Sequence, residues 1–183
     1  QNELVNIMSL TDLVKIVSER LYDSRRVTGV SIYLLEPGGL TYQREQATRN
    51  PSDVLPVKIE TTGARTFLDT LTQAKAVAIE EVQRDLIDLD DVASAATDRA
   101  RLEEVRRTMT ELEAQLSFAF VSEDRLLGFL NVSDERTSEA FSSYEIELIA
   151  GLSAQITTAI ANSELVRQIN ERDRLLAIGE MAT

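Results

Sequence analysis

Between Ser143 and Met181 the chain runs for 39 residues without a proline, and Ile149, Leu152, Ile156, Ala159, Ser163 and Val166 recur along it at alternating spacings of 3 and 4. That repeat marks one face of an α-helix. At about 1.5 Å per residue the helix would be roughly 58 Å long, more than one small domain can cover. Packing against a domain suffices up to about Ser163. Past Leu165, however, Val166, Ile169 and Leu176 remain apolar among Arg167, Glu171, Arg172 and Arg174. This suits a parallel two-stranded coiled coil interrupted by polar residues, so a second copy of the chain is the expected cover. The dimer and output helix is placed on Leu152, Ile156, Ala159, Val166, Ile169 and Leu176.

Upstream, helix and strand signals alternate. Leu4, Ile7, Met8, Leu13, Val14, Ile16, Val17 and Leu21 recur near helical spacing and predict a first helix over residues 2–24. Residues 27–35 are rich in β-branched and aromatic side chains, with Val30, Ile32 and Leu34 opposed to Tyr33 and Leu35. They read as a central strand covered on both faces. Glu36-Pro37-Gly38-Gly39 is a turn, and the more polar residues 40–46 are its hairpin partner nearer an edge. Pro37, Pro51 and Pro56 all fall between residues 37 and 56, which concentrates loop chemistry there. Ala64, Phe67, Leu68 and Leu71 predict a helix over 62–74 with Thr62 as its cap, and residues 75–80 a short strand. Residues 80–113 hold 11 acidic and 5 basic side chains. Within and just past them, Leu102, Val105, Met109, Leu112 and Leu116 mark an amphipathic helix whose acidic side faces solvent. Residues 116–121 and 126–133 form a hairpin across Ser122-Glu123-Asp124-Arg125. The order predicts an α+β fold: a mainly antiparallel sheet, helices on both faces and a long C-terminal helix.

What the chain lacks bounds what it can do. It has no cysteine and no histidine. That removes thiolate nucleophiles, disulfides, Cys/His zinc, His-ligated haem, Ser-His-Asp machinery and a phospho-accepting imidazole. The net charge of −12, from 19 Lys+Arg against 31 Asp+Glu, repels phosphate backbones and anionic lipid, so no nucleic acid is expected as a partner. No apolar run approaches the ~20 residues of a membrane span, and no signal-peptide profile opens the chain. An apolar fraction of 43% with 27% charged residues reads as a globular protein of the reducing cytoplasm. Beginning at Gln1 and ending inside a helical pattern, the chain reads as a piece of something longer, where any membrane anchor would lie.

The stretch Leu126-Leu127-Gly128-Phe129-Leu130-Asn131-Val132, the helix start Phe141-Ser142-Ser143-Tyr144-Glu145, and the run from Leu152 through Gln155, Ala159, Ile160 and Asn162 to Leu165 together resemble the end of a GAF domain. That family closes with L-[LI]-G-x-L, F-S-x-x-[DE] and L-x-x-Q-x-x-x-A-I-x-N-x-x-L. The resemblance extends over about residues 4–165. It implies the PAS-related GAF fold for residues 1–165, with residues 166–183 as a coiled-coil output helix. Glu171-Arg172-Asp173-Arg174-Leu175-Leu176-Ala177-Ile178-Gly179-Glu180-Met181-Ala182 is similar to the opening of the dimerisation and phosphotransfer helix of sensor histidine kinases. Together these imply a sensory domain of a two-component sensor histidine kinase, a homodimer with no catalytic residues of its own. It would pass a signal to a kinase core and thence to a response regulator. A ligand-binding regulator of another output, and a ligand-free dimerisation scaffold, are readings the same residues allow.

Some GAF domains bind cyclic nucleotides and carry N-K-x(n)-F-x-x-x-D-E. Here Asn131 and Phe141 match, Val132 stands where the lysine belongs, and Glu145-Ile146 replaces Asp-Glu, so the signature is broken. Phe141 and Glu145 have a second job, as apolar anchor and first-turn carboxylate of the last helix. Phytochrome-like members hold linear tetrapyrroles through a cysteine, and the branch reducing methionine sulfoxide works through cysteines; the composition excludes both. Asp85, Asp88, Asp90 and Asp91 lack the glycine and distal glutamate of a calcium loop and read as a solvated surface, so no metal site is assigned. The ligand-pocket candidates are Tyr33, Phe67, Phe118, Phe120 and Asn131, on the distal side of the sheet where this family keeps its pocket, for a small molecule of unassigned identity. Aromatic residues at such positions also serve as plain core.

Overall fold

In the computed structural model, which describes residues 9–47, 55–90, 95–136 and 139–181, strand β6 (Arg125–Ser133) buries every side chain from Leu126 onward. A strand with no solvent face must be covered above and below, and the rest of the chain supplies both covers. β6 pairs antiparallel with β1 (Gly29–Leu35) on one side and β5 (Leu116–Ser122) on the other. β2 (Thr41–Ala47) and β3 (Lys58–Glu60) extend the sheet beyond β1, and β4 (Ala76–Ala78) extends it beyond β5. The six-stranded order is β3-β2-β1-β6-β5-β4, antiparallel throughout.

Alternation along the strands sorts the core into two layers. Ile32, Phe118, Phe120 and Leu130 pack with α1 (Leu10–Asp23) and α5 (Ser143–Met181). Tyr33, Tyr42 and Phe129 pack with α2 (Arg65–Ala74), α3 (Ile79–Asp88) and α4 (Ala96–Glu111). The α+β class, both hairpins and the long last helix are as the sequence predicts.

Several details differ, each for a local reason. α1 begins at Leu10, where the Ser9 hydroxyl accepts from the Asp12 N–H at 3.2 Å, and positions 2–8 of the expected helix lie outside the described residues. Thr62 does not cap α2. Residues 61–63 turn sharply after β3, with Gly63 N–H donating to Glu60 O at 3.1 Å, and the helix starts behind Ala64 with no side-chain cap. Leu116 leaves the helical stripe because Glu113, at φ 51°, ends α4, after which Leu116 pairs with Val132 in the sheet. α3 and β3 are additions to the expected order. α3 buries only Val82 and Leu86 among its acidic residues, and β3 buries only Ile59, too little apolar pattern to announce either.

The start of α5 is built by a capping box. Glu145 accepts from Ser142 N–H at 2.7 Å and from Ser142 Oγ at 2.9 Å, and Ser142 Oγ accepts from Glu145 N–H at 3.3 Å. The Ser142 N–H, more than the neighbouring Arg26, holds the Glu145 carboxyl below the usual range. Arg26, ahead of β1, donates to Glu145, to Asp134 Oδ2 at 2.7 Å and to the Ala140 carbonyl at 3.2 Å, and lies 4.4 Å from the Phe141 ring centre.

Opposite this helix start, Phe120 pairs with Gly128 and Val121 with Leu126, so Leu127 is the extra residue of a β-bulge. A Cβ on Gly128 would meet Tyr33 O at 2.4 Å and Leu34 Cδ2 at 2.9 Å, and the carbonyl belongs to a paired strand that cannot retreat. Gly128→Ala is expected to cost about 2 kcal/mol or more by overpacking, read as a lower urea midpoint at unchanged m-value.

Candidate functional site

The distal layer is organised around Phe129. Tyr33 stacks on it with centroids 5.2 Å apart, Tyr42 tilts against it at 5.6 Å, and Phe67 of α2 meets it edge-on at 5.6 Å. Rings in these geometries attract beyond their buried area, and here they fill the space between sheet and helices. Both phenols are also tied: Tyr33 donates to Pro56 O at 2.8 Å and Tyr42 to Leu126 O at 2.9 Å. Arg44, opposite Tyr33 in β2, donates from Nη1 to Leu55 O at 2.7 Å and from its N–H to Val57 O at 2.8 Å. Residues 55–57 are thereby strapped across this layer.

The five pocket candidates do not share one cavity. Tyr33, Phe67 and Asn131 belong to the distal side, whereas Phe118 and Phe120 face α1 and α5. Strand parity is the reason: on β5 the two phenylalanines alternate in step with Leu116, and across the sheet they share a face with Ile32 rather than Tyr33. Asn131 pairs with Ser31 and Ser117 in one row of β1, β6 and β5. Ser117 Oγ donates to its Oδ1 at 2.7 Å, and its Nδ2 donates to Ser31 Oγ at 3.2 Å.

A cleft of about 470 Å³ opens at one end of the sheet, between the β1–β2 turn, α2 and the β5–β6 turn. Leu35, Tyr42, Leu68 and Leu126 line it with apolar surface, and Thr72, Arg65, Asp69 and Arg125 line it with polar groups. None of the five candidates reaches it. Tyr42 was hidden in the sequence by its polar neighbours in β2, which read as a near-edge strand. The acidic group is likewise dispersed: Asp90 pairs with Arg99, Asp91 lies outside the described residues, and among the described residues no three acidic side chains gather as a metal would need.

α5 divides its output positions between two roles. Ile156 is fully buried against the sheet with Ile149, Ser153 and Ile160, so it belongs to the domain's own core and not to an interface between copies. Leu152 packs at the margin of that core and Ala159 is half-buried, while Val166, Ile169 and Leu176 are exposed. Among the described residues no helix is long and apolar enough to cross a membrane.

Comparison with known proteins matches the family described as "GAF domain" over residues 9–160. Among solved structures, residues 122 to 287 of a methyl-accepting chemotaxis protein superpose with a TM-score of 0.60 at 16% identity, covering 87% of this chain and 93% of that one. The GAF domain of the Acinetobacter phosphoenolpyruvate-protein phosphotransferase gives 0.57 at 20% identity, over 87% of each chain. The blue-light absorbing form of the PixJ GAF domain from Thermosynechococcus elongatus gives 0.57 at 12%, covering 94% and 96%. A search of curated protein sequences finds no match.

Burial pushes the Tyr33 phenol up to about 12 against the pull of Arg44, and burial likewise takes Tyr42 to about 12. Above the ordinary tyrosine value of 10.0 the unfolded chain releases protons that the folded chain retains. Stability held below that pH is therefore expected to fall as the pH climbs towards about 12, with delayed ionisation of two phenols visible by ultraviolet titration. Tyr33→Phe, which loses the Pro56 bond, should remove one of the two delayed phenols.

Proposed function

This chain belongs to the GAF domain family, and on that footing we propose that it is the sensory or regulatory module of a cytoplasmic signalling protein, in particular a two-component sensor histidine kinase. The observation supporting this is the division of α5. Its first half is spent on the sheet, while Leu165, Val166, Ile169, Leu175, Leu176 and Ile178 are between 50% and 59% exposed. Leu148, Leu152, Gln155, Ala159, Asn162, Val166, Ile169, Asp173 and Leu176 follow one another at alternating spacings of 4 and 3, a heptad stripe carried roughly 120° round the helix from the buried one. The same helix thus has one side for its own domain and another for a second copy.

In a parallel homodimer paired along that stripe, a change in how α1 and α5 pack passes down the coil to a kinase core. The reaction there would be ATP-dependent phosphorylation of a histidine, followed by transfer to an aspartate of a response regulator. The domain itself contributes position and no chemistry. A ligand-free dimerisation scaffold is the second reading, favoured by one observation: Tyr33, Tyr42 and Phe67 already fill the layer around Phe129.

Sedimentation at high micromolar concentration is expected to show a dimer. Ile169→Asp should weaken it by about 2 kcal/mol or more, over tenfold in Kd, while leaving the monomer folded. A monomeric parent chain at that concentration counts against the proposal. Ile156→Asp, by contrast, is expected to unfold the domain, since it places a carboxylate inside the core. Cyclic AMP and cyclic GMP, titrated calorimetrically, are expected to bind more weakly than about 1 μM, roughly −8 kcal/mol, and tighter binding would favour a cyclic-nucleotide sensor.

A further inference from the structure

Three buried polar side chains wall one small gap. Ser31, Asn131 and Ser133 are 3%, 2% and 7% exposed, and with Gly29, Leu55 and Leu112 they line a recess of about 20 Å³ where the paired ends of β1 and β6 meet the end of α4. Their hydrogen-bonding capacity is not exhausted. Asn131 engages Ser117 and Ser31, and whichever way round its amide lies, one of its two N–H groups is left without an acceptor among the described residues. The Ser133 hydroxyl has no hydrogen-bond partner among the described residues. A Cβ on Gly29 would come within 2.6 Å of Ser133 Oγ, so the glycine keeps that hydroxyl's space open.

Buried donors are almost always satisfied, and about 10–15 Å³ of such space is enough for one water. We propose that this gap is a binding socket for one neutral acceptor oxygen, either a resident water or the hydroxyl or carbonyl oxygen of a small molecule. The occupant must accept, because the Asn131 N–H and the Ser133 hydroxyl are there to donate. It must be neutral, because no lysine or arginine is among the residues lining the gap, so an anion would find no cation there to pair with. A phosphate is rejected on the same ground. Leu55 lines the socket beside these groups, its carbonyl held by the Arg44 guanidinium at 2.7 Å. The proposal stands apart from the signalling reading, whose test is oligomeric.

A crystal structure of the chain resolving ordered water is expected to show one density peak within hydrogen-bond distance of Asn131 Nδ2 and Ser133 Oγ. A peak that survives denaturation and refolding in plain buffer identifies water. A peak lost on refolding, with a small molecule released and detected by mass spectrometry, identifies the other source; either result supports the socket. Ser133→Ala removes one partner of the occupant and is expected to lower the melting temperature by about 3 °C or more. An empty socket overturns the proposal. So does a Ser133→Ala chain that melts at or above the parent temperature, the behaviour expected when an unpartnered hydroxyl is deleted.

Discussion

Asp134 follows β6 with its side chain 2% exposed, and a carboxylate so deep must be neutralised where it stands. Arg26 does this and more, because its guanidinium also reaches Glu145 and the Ala140 carbonyl and lies against Phe141. Arg136 adds a second cation at 3.2 Å from the other Asp134 oxygen. One side chain therefore ties together the connection into β1, the exit from the central strand and the first turn of α5. The direction of a 39-residue helix is set in its first turns, so an interaction of a few ångströms governs where its far end lies. Removing Arg26 would leave Asp134 short of a main partner in a site water hardly reaches, and a broken buried pair is strongly destabilising.

The sequence was most legible where a single local rule decides the structure. The 3 and 4 spacing through Ile149, Ile156 and Val166 announces α5 because a helix exposes its period in the chain itself. Phe141 and Glu145 read as a helix start because capping is chemistry over a few residues. Legibility failed where the answer depends on what lies across the sheet. Phe118 and Phe120 carry no mark saying which face they take; that is set by the unbroken register from Leu116 opposite Val132 to Phe120 opposite Gly128. Ile156 and Ile169 look alike in sequence, yet one is core and the other exposed, because the sheet ends between them. Val82 and Leu86 give too short a repeat to reveal α3, and Thr62, a good cap by type, is overruled by the turn that brings β3 into α2.

The site was legible only in part for the same reason. Asn131 was marked by a family motif, and the structure places it in a serine-flanked row whose polar groups point to a small occupant. The aromatic candidates stand out by residue type, and type alone cannot separate a pocket wall from a filled core. Around Phe129 the rings close on each other, so anything large entering that layer would have to displace aromatic surface already paired. The open cleft lies elsewhere, at the sheet end beside α2, where a single tyrosine supplies most of the aromatic surface.

The way residues 55–57 are held bears on how this protein can vary. Tyr33, the Arg44 guanidinium and the Arg44 N–H all grip carbonyl oxygens, at Pro56, Leu55 and Val57, which every amino acid possesses. Pro56 narrows the backbone choices of the residue before it, which favours the extended path the three bonds require. Leu55 is fixed by its burial, but the Val57 side chain is 55% exposed and takes no part in the hold. Position 57 can therefore drift through many residue types across related chains while the strap stays in place, and Tyr33, Arg44 and Leu55 should drift far less.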